Sequence, residues 1–467
     1  MKSINPILIS GKEVLPIIEG GKGVSVSTGA SSGAFAAAGC VGTVSAVNAD
    51  SYDENGDIIP QVYHGATRRE RWHELIDFAI AGGIAQTKIA HDISGGEGRI
   101  HINVLWEAGG TPQVLKGILE GAKGLIHGVT CGAGMPYRVA EIAAGYGVHY
   151  YPIVSSGRAF RALWKRAYSK HADLLGGVVY EDPWLAGGHN GLSNVENPNE
   201  PQDPYPRVKD LRDIMRGFGL DNTPIVMAGG VWHLRDWQDW IDNPELGPIV
   251  FQFGTRPLIT RESAVCDAWK DRLLGLEEGD IFLNKFSPTG FYSSAVRNGL
   301  LDALQARSER QVDYSPKPGV NDAHTAELPL GPRGRPIYLT PDDKVKAEAW
   351  LAAGFTEGLK TPDSTVVFET PETSAEVLAD QQGCMGCLSQ CRFSNWHEGE
   401  EGTTGKRADP RSFCIQKTLQ SVAHGGDIDN NLMFSGHNAY MFGKDPFYAD
   451  GFVPTVQQLV DRIIAGD

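Results

Sequence analysis

Short apolar runs rich in β-branched residues recur through the first 260 or so residues, separated by stretches of helical periodicity. The runs at 23–27, 41–46, 100–106, 124–130, 149–154, 176–180, 223–227 and 248–252 read as strands, most of them followed by glycine, serine or threonine. Helix-like stretches lie between them at 68–82, 111–122, 137–146 and 159–172. In the first, Trp72, Leu75, Ile76, Ala79 and Ile80 share one face, the stripe of a helix packed on a core. This alternation predicts an α/β fold of parallel βα units, and eight such strands predict a (β/α)8 TIM barrel.

After Ser263 the rhythm fails. Residues 310–345, with Pro316, Pro318, Pro329, Pro332 and Pro336, read as irregular loop. A helix at 342–354 and a β-like run at 364–370 precede a polar stretch, 381–414, that holds most of the cysteines. The runs at 431–436 and 456–464 read as a return to the barrel wall. The expected organisation is a barrel at 1–262, an insertion at 263–424 and a C-terminal return at 425–467.

Size agrees with this layout, since 467 residues exceed the ~250 of one barrel. A formal charge of −15 argues against non-specific binding to nucleic acid or anionic membrane, and no basic patch stands out. No apolar run approaches the ~18 residues of a membrane span, and Met1-Lys2-Ser3-Ile4-Asn5 opens no signal peptide, so a cytoplasmic location is expected.

Of the cysteines, Cys40, Cys131 and Cys266 are scattered, whereas Cys384, Cys387, Cys391 and Cys414 form C-x2-C-x3-C-x22-C. Without an export signal, disulfides are not expected and the group reads as a metal or iron–sulfur site. Zinc ribbons favour two C-x2-C pairs. Three close cysteines and a distant fourth look more like the ligands of a [4Fe–4S] cluster, with zinc as the alternative.

Ligands of a βα barrel bind at the C-terminal ends of its strands. Gly229-Gly230 and Gly254-Thr255 follow the seventh and eighth candidate strands, where main-chain N–H groups and helix dipoles hold phosphate. Tight turns alone would also explain either pair. His189 follows the sixth strand between Gly187-Gly188 and Gly191, which suggests backbone held close to a ligand. An ordinary imidazole pKa of ~6.5 suits proton transfer at neutral pH. The remaining histidines read as packing or surface residues, except His437, which is placed to close the site. Gly20-Gly21-Lys22-Gly23 forms a loop able to lie against a planar ring. Neither a G-x-x-x-x-G-K-[ST] phosphate loop nor a Rossmann fingerprint is present.

Taken together, residues 16–27, 128–136, Ala186-Gly187-Gly188-His189-Asn190-Gly191, 224–231 and Gln252-Phe253-Gly254-Thr255-Arg256 resemble the nitronate monooxygenase (2-nitropropane dioxygenase-like) family of FMN-dependent barrels. The resemblance covers the first 260 or so residues and excludes the cysteine insertion. It implies that Gly230, Gln252, Phe253, Gly254 and Thr255 bind the FMN phosphate and ribityl chain. It also implies that Gly187 and Asn103 line the isoalloxazine, that Gly21, Lys22 and Gly23 face its N5 region, and that His189 is the acid/base. Asp182, Gly188 and Gly229 complete the implied cofactor site. Two departures stand out: Lys22 replaces a usual methionine, and Asp182 and Leu185 replace a usual glutamine and glutamate. Lys22 would either bring positive charge to the flavin or point into solvent.

The implied activity is oxidation of nitronates through the flavin, with oxygen completing the cycle. The alternative is an NAD(P)H-dependent reductase of an enone, quinone or other acceptor, with an iron–sulfur cluster relaying electrons. A non-flavin barrel, such as a phosphate-sugar isomerase or aldolase, is a further class. The expected partner is a small-molecule substrate, and a homodimer is left open.

Overall fold

The computed structural model describes residues 2–319, 323–330 and 334–467. Eight parallel strands close into a barrel: β1 (Ile17–Glu19), β2 (Val41–Ser45), β3 (Arg99–Leu105), β4 (Gly128–Gly132), β5 (His149–Val154), β6 (Val178–Glu181), β7 (Ile225–Ala228) and β8 (Ile249–Phe253). Closure is made where β8 pairs with β1, Gln252 opposite Ile18. The chain therefore has the (β/α)8 barrel fold. Helices α1 (Gly29–Ala37), α2 (Arg68–Ser94), α3 (Thr111–Gly121), α4 (Val139–Gly145), α5 (Gly157–Arg166) and α6 (Pro204–Arg216) follow β1 to β6 in turn. Among the described residues, only short 3-10 helices follow β7 and β8 directly, and the C-terminal helix Val456–Ile464 packs beside α1.

Inside the barrel, Ile18, Val41, Tyr151, Val179, Val226 and Val250 form an apolar plug. An antiparallel hairpin, Ile7–Ile9 with Lys12–Val14, caps its lower end and adds Ile9 and Val14 to that layer. The opposite end stays open.

Seven of the eight expected strands overlap an observed one. The exception is 23–27, which forms no strand; β1 lies earlier, at Ile17–Glu19. Val24 and Val26 are buried, as a strand would require, but the chain doubles back: Ser27 N donates to Lys22 O at 2.9 Å and Ser25 has φ +57°. The α2 helix runs twelve residues past its expected end at Gly82. A Cβ there would fall 1.8 Å from the Ala49 carbonyl oxygen, so this glycine serves close packing and does not stop the helix.

The stretch 310–345 is more ordered than its prolines suggested. It contains the strand Gln311–Asp313 and a hairpin, Ala326–Leu330 with Arg335–Leu339, in which Pro329 faces Pro336. A two-stranded hairpin has only edges, so neither proline removes a needed ladder bond. Pro332 lies outside the described residues. Among the described residues, no helix is long and apolar enough to cross a membrane.

Candidate active site

A deep pocket opens at the C-terminal ends of the strands. Period-two alternation turns Asn103, Thr130, Ile153, Glu181, Ala228 and Gln252 inward, and these residues line its floor. Among the described residues, the side chains of Asn103, Glu181 and Gln252 make no hydrogen bond to protein. They offer polar groups to a ligand. Glu181 is open only to the pocket, and burial, helped by the neighbouring Asp182 charge, pushes its carboxyl up to about 8. It is therefore a neutral acid at pH 7.

Beyond β7 and β8 the backbone is shaped to receive an anion. Gly229 and Gly230 have φ +92° and +77°, and a Cβ at Gly230 would meet Leu185 Cδ1 at 2.7 Å. The amides of Gly230, Val231, Gly254 and Thr255 enter no backbone hydrogen bond among the described residues, and all four residues face the pocket. A Cβ at Gly254 would meet nothing within 4 Å, so the space above it is open. The expected helix dipole is a smaller part of this site, because only four-residue 3-10 turns follow, Leu234–Trp237 and Arg256–Ile259. Free amides make the cradle.

His189 is carried by a short strand, Gly188–His189, that pairs antiparallel with Ser293–Val296. Its Nε2 lies 2.6 Å from Ser287 Oγ, which lies 2.9 Å from Thr289 Oγ1. The Phe434 ring packs edge-on, 5.3 Å between centroids. Burial pushes the imidazole down to about 4, against the expected ordinary value. With no carboxylate beside it, nothing offsets the cost of charging a ring that only the pocket reaches. His189 is a neutral imidazole at pH 7.

A strap from Met433 to Asn438 crosses the mouth, and all its residues but His437 line the pocket. His437 closes the site indirectly: its Nε2 lies 3.1 Å from Ser294 Oγ, and its amide donates to Leu185 O at 3.1 Å. Asn438 Nδ2 donates to Gly230 O at 2.6 Å, and Gly436 N donates to Thr255 Oγ1 at 3.1 Å. The strap is thereby tied to both glycine turns.

Gly21, Lys22, Gly23, Asn103, Gly187, Gly188, His189, Gly229, Gly230, Gln252, Gly254 and Thr255 all line this one pocket. Gly21 must lack a side chain, because a Cβ would sit 2.3 Å from Asn103 Cβ. Lys22 lines the pocket but does not point into solvent. Its Nζ folds back 2.9 Å from Glu19 Oε1 and donates to Gly20 O, so its charge is spent on a buried carboxylate. Phe253 points outward into the core, and only its neighbours face the pocket. Asp182 accepts the amides of Trp184 and Leu185 at 2.9 and 2.8 Å, shaping the loop from below the pocket.

The pattern reading missed Glu181, Ser287, Phe434 and Gln416. Only Glu181 left a signal: the alternation that points Val179 inward also points Glu181 inward. Cys387 lines the pocket beside Leu388 and Gln416. Among the described residues, no group of three or more His, Cys, Asp or Glu side chains is arranged to hold a metal ion, so neither the expected iron–sulfur site at Cys384, Cys387, Cys391 and Cys414 nor its zinc alternative is visible there.

No protein-family model and no curated protein matches the chain. Solved structures do. FabK from Thermotoga maritima is similar at 14% identity and TM-score 0.52, over 97% of this chain and 92% of its own. The enoyl reductase domain of MlnA, from the macrolactin biosynthesis cluster of Bacillus amyloliquefaciens, is similar at 12% identity and TM-score 0.53, over 97% and 93%. At such identities the likeness is one of fold.

Proposed function

We propose that this chain is an FMN-dependent oxidoreductase acting on a small molecule held under the strap. The observation that carries the reading is the row of free amides at Gly230, Val231, Gly254 and Thr255, opposite three unpartnered polar side chains on the pocket floor. A phosphate-bearing ring ligand answers both needs, and the residues present fit FMN. The amides and Thr255 would hold its phosphate, while Asn103, Glu181 and Gln252 would hold its polar ring edge. When bound, FMN supplies the two-electron chemistry that no side chain of this site can supply.

The chain's own groups set the rest. Glu181, protonated at neutral pH, donates a hydrogen bond that a carboxylate could not. His189, neutral and fixed by Ser287, is poised to accept a proton or to orient one. The strap and Phe434 keep water from the reacting face.

Between the two directions, the reductase reading draws more support. The fold-level neighbours include FabK and an enoyl reductase domain, and Lys22 gives no net charge to the pocket. NAD(P)H would supply hydride, and the acceptor would be an enone, quinone or similar group. If electrons came through a cluster, two single-electron transfers from an external one-electron donor would take the place of one hydride. Anaerobic mixing with NADH or NADPH tests the direction: bleaching of the bound flavin supports a reductase. Oxygen uptake with a nitronate and no bleaching by either nucleotide supports the oxidase, and a colourless protein that takes up no FMN overturns both.

A further inference from the structure

Cys384, Cys387 and Cys391 lie in the loop after the helix Pro371–Gln382, and Cys414 immediately precedes the helix Ile415–His424. All four are free thiols, and they lie within electrostatic reach of one another. Among the described residues, the Cys384 sulfur is the acceptor of two hydrogen bonds, from Gly386 N at 3.4 Å and Ser394 Oγ at 3.1 Å. Four largely buried cysteines gathered in one place suit a metal centre, which would hold them as thiolates.

The loop is held as tightly as a ligand site requires. Arg68 on α2 donates to Ser394 O and Gln381 O, Arg69 to Glu398 O and Gly399 O, and Arg71 to Cys384 O and Gln382 O. On the barrel side, Gly109 N donates to Cys387 O at 3.0 Å and Ser389 N to Glu107 O at 2.7 Å. Disulfide pairing would need none of this. A single metal ion is disfavoured too, since no three of these groups are arranged around one point.

We propose that Cys384, Cys387, Cys391 and Cys414 ligate a [4Fe–4S] cluster, one sulfur to each iron, at the edge of the barrel mouth. Ligands to the four corner irons of one cluster stand farther apart than ligands to a single ion, which accords with the absence of a one-ion site among the described residues. The three arginines place positive charge near a cluster whose thiolate ligands make it anionic. Cys387 and Gln416 bring the site to the pocket wall. An electron-relay role rests on the flavin reading given above; ligation does not.

The test is iron, zinc and acid-labile sulfide analysis of the full chain purified without oxygen, with low-temperature EPR after dithionite and flavin content measured in parallel. The expected result is about four irons and four sulfides per chain, with an EPR signal lost in Cys387→Ser and Cys414→Ser while flavin is retained. One zinc without sulfide overturns the proposal. So does a flavin-loaded protein that takes up neither iron nor sulfide on anaerobic reconstitution. Should the serine variants fail to fold, the wild-type metal and sulfide content decides alone. A cluster found without flavin would sink the flavin reading and leave this one standing.

Discussion

Ser287 Oγ lies 2.6 Å from His189 Nε2 and joins two residues 98 positions apart, one from the chain beyond β8 and one from the loop after β6. The loop after β6 presents the imidazole, and the chain beyond β8 fixes which way it faces. Ser287→Ala frees the ring and lowers turnover about fivefold, the equivalent of roughly 1 kcal/mol for one hydrogen bond. His189→Ala lowers it by about 10²- to 10⁴-fold, the range for an acid/base group. Both retain flavin. Steady-state kinetics on the two variants check this, and an unchanged rate in His189→Ala would remove the imidazole from the chemistry.

Glu181 makes stability depend on pH. Its carboxyl is raised from 4.5 to about 8 on folding, so the folded chain holds more protons than the unfolded chain across that window. Stability conferred by the neutral form is complete below the unfolded value and is lost as pH rises through the folded one. Glu181→Gln keeps the hydrogen-bond donor and cannot ionise. Denaturant midpoints of the flavin-free protein at about pH 5 and about pH 9 should therefore fall further in wild type than in the variant. Parallel curves would show that Glu181 is ionised already.

Lys22 neutralises Glu19, which is fully buried and also accepts from Ser31 Oγ at 2.5 Å and Thr43 N at 3.2 Å. Lys22→Met leaves that carboxylate without a cation and destabilises the fold by roughly 3 kcal/mol. Pairing it with Glu19→Gln restores most of the loss, as a double-mutant cycle in urea would register. If Lys22→Met costs nothing in stability but changes the flavin's reduction potential, the lysine faces the cofactor after all.

At Gly230 a side chain is refused twice, by φ +77° and by Leu185 Cδ1 at 2.7 Å from a Cβ. Gly230→Ala should turn the neighbouring amides out of line and weaken FMN binding at least tenfold, about 1.4 kcal/mol. Fluorescence titration reads this directly.

What the chain announced and what it hid divide along physical lines. Strands of a parallel barrel are buried on both sides, so runs such as 149–154 and 248–252 stand out as continuous apolar segments. Glycines at 187, 188, 229, 230 and 254 betray close backbone approach, and together they mark the pocket. Val24 and Val26 misled because burial inside a loop looks the same as burial in a strand. Phe434 and Gln416 reach the pocket, and Ser287 reaches His189, only through the tertiary fold of the chain after β8, where no local period points to them. The fate of Lys22 was also hidden: its partner Glu19 is three residues away, but only the bend of the loop brings them together. The pKa of His189 follows from its surroundings, which spacing does not convey.

The central claim is that the amides beyond β7 and β8 grip the phosphate of FMN. Titration of flavin-free protein with FMN and with riboflavin, followed by flavin fluorescence, tests it most directly. The account predicts one FMN bound per chain, riboflavin bound at least a hundredfold more weakly, about 2.7 kcal/mol, and that preference lost in Gly230→Ala. Equal affinity for the two, or no binding of either, would contradict it.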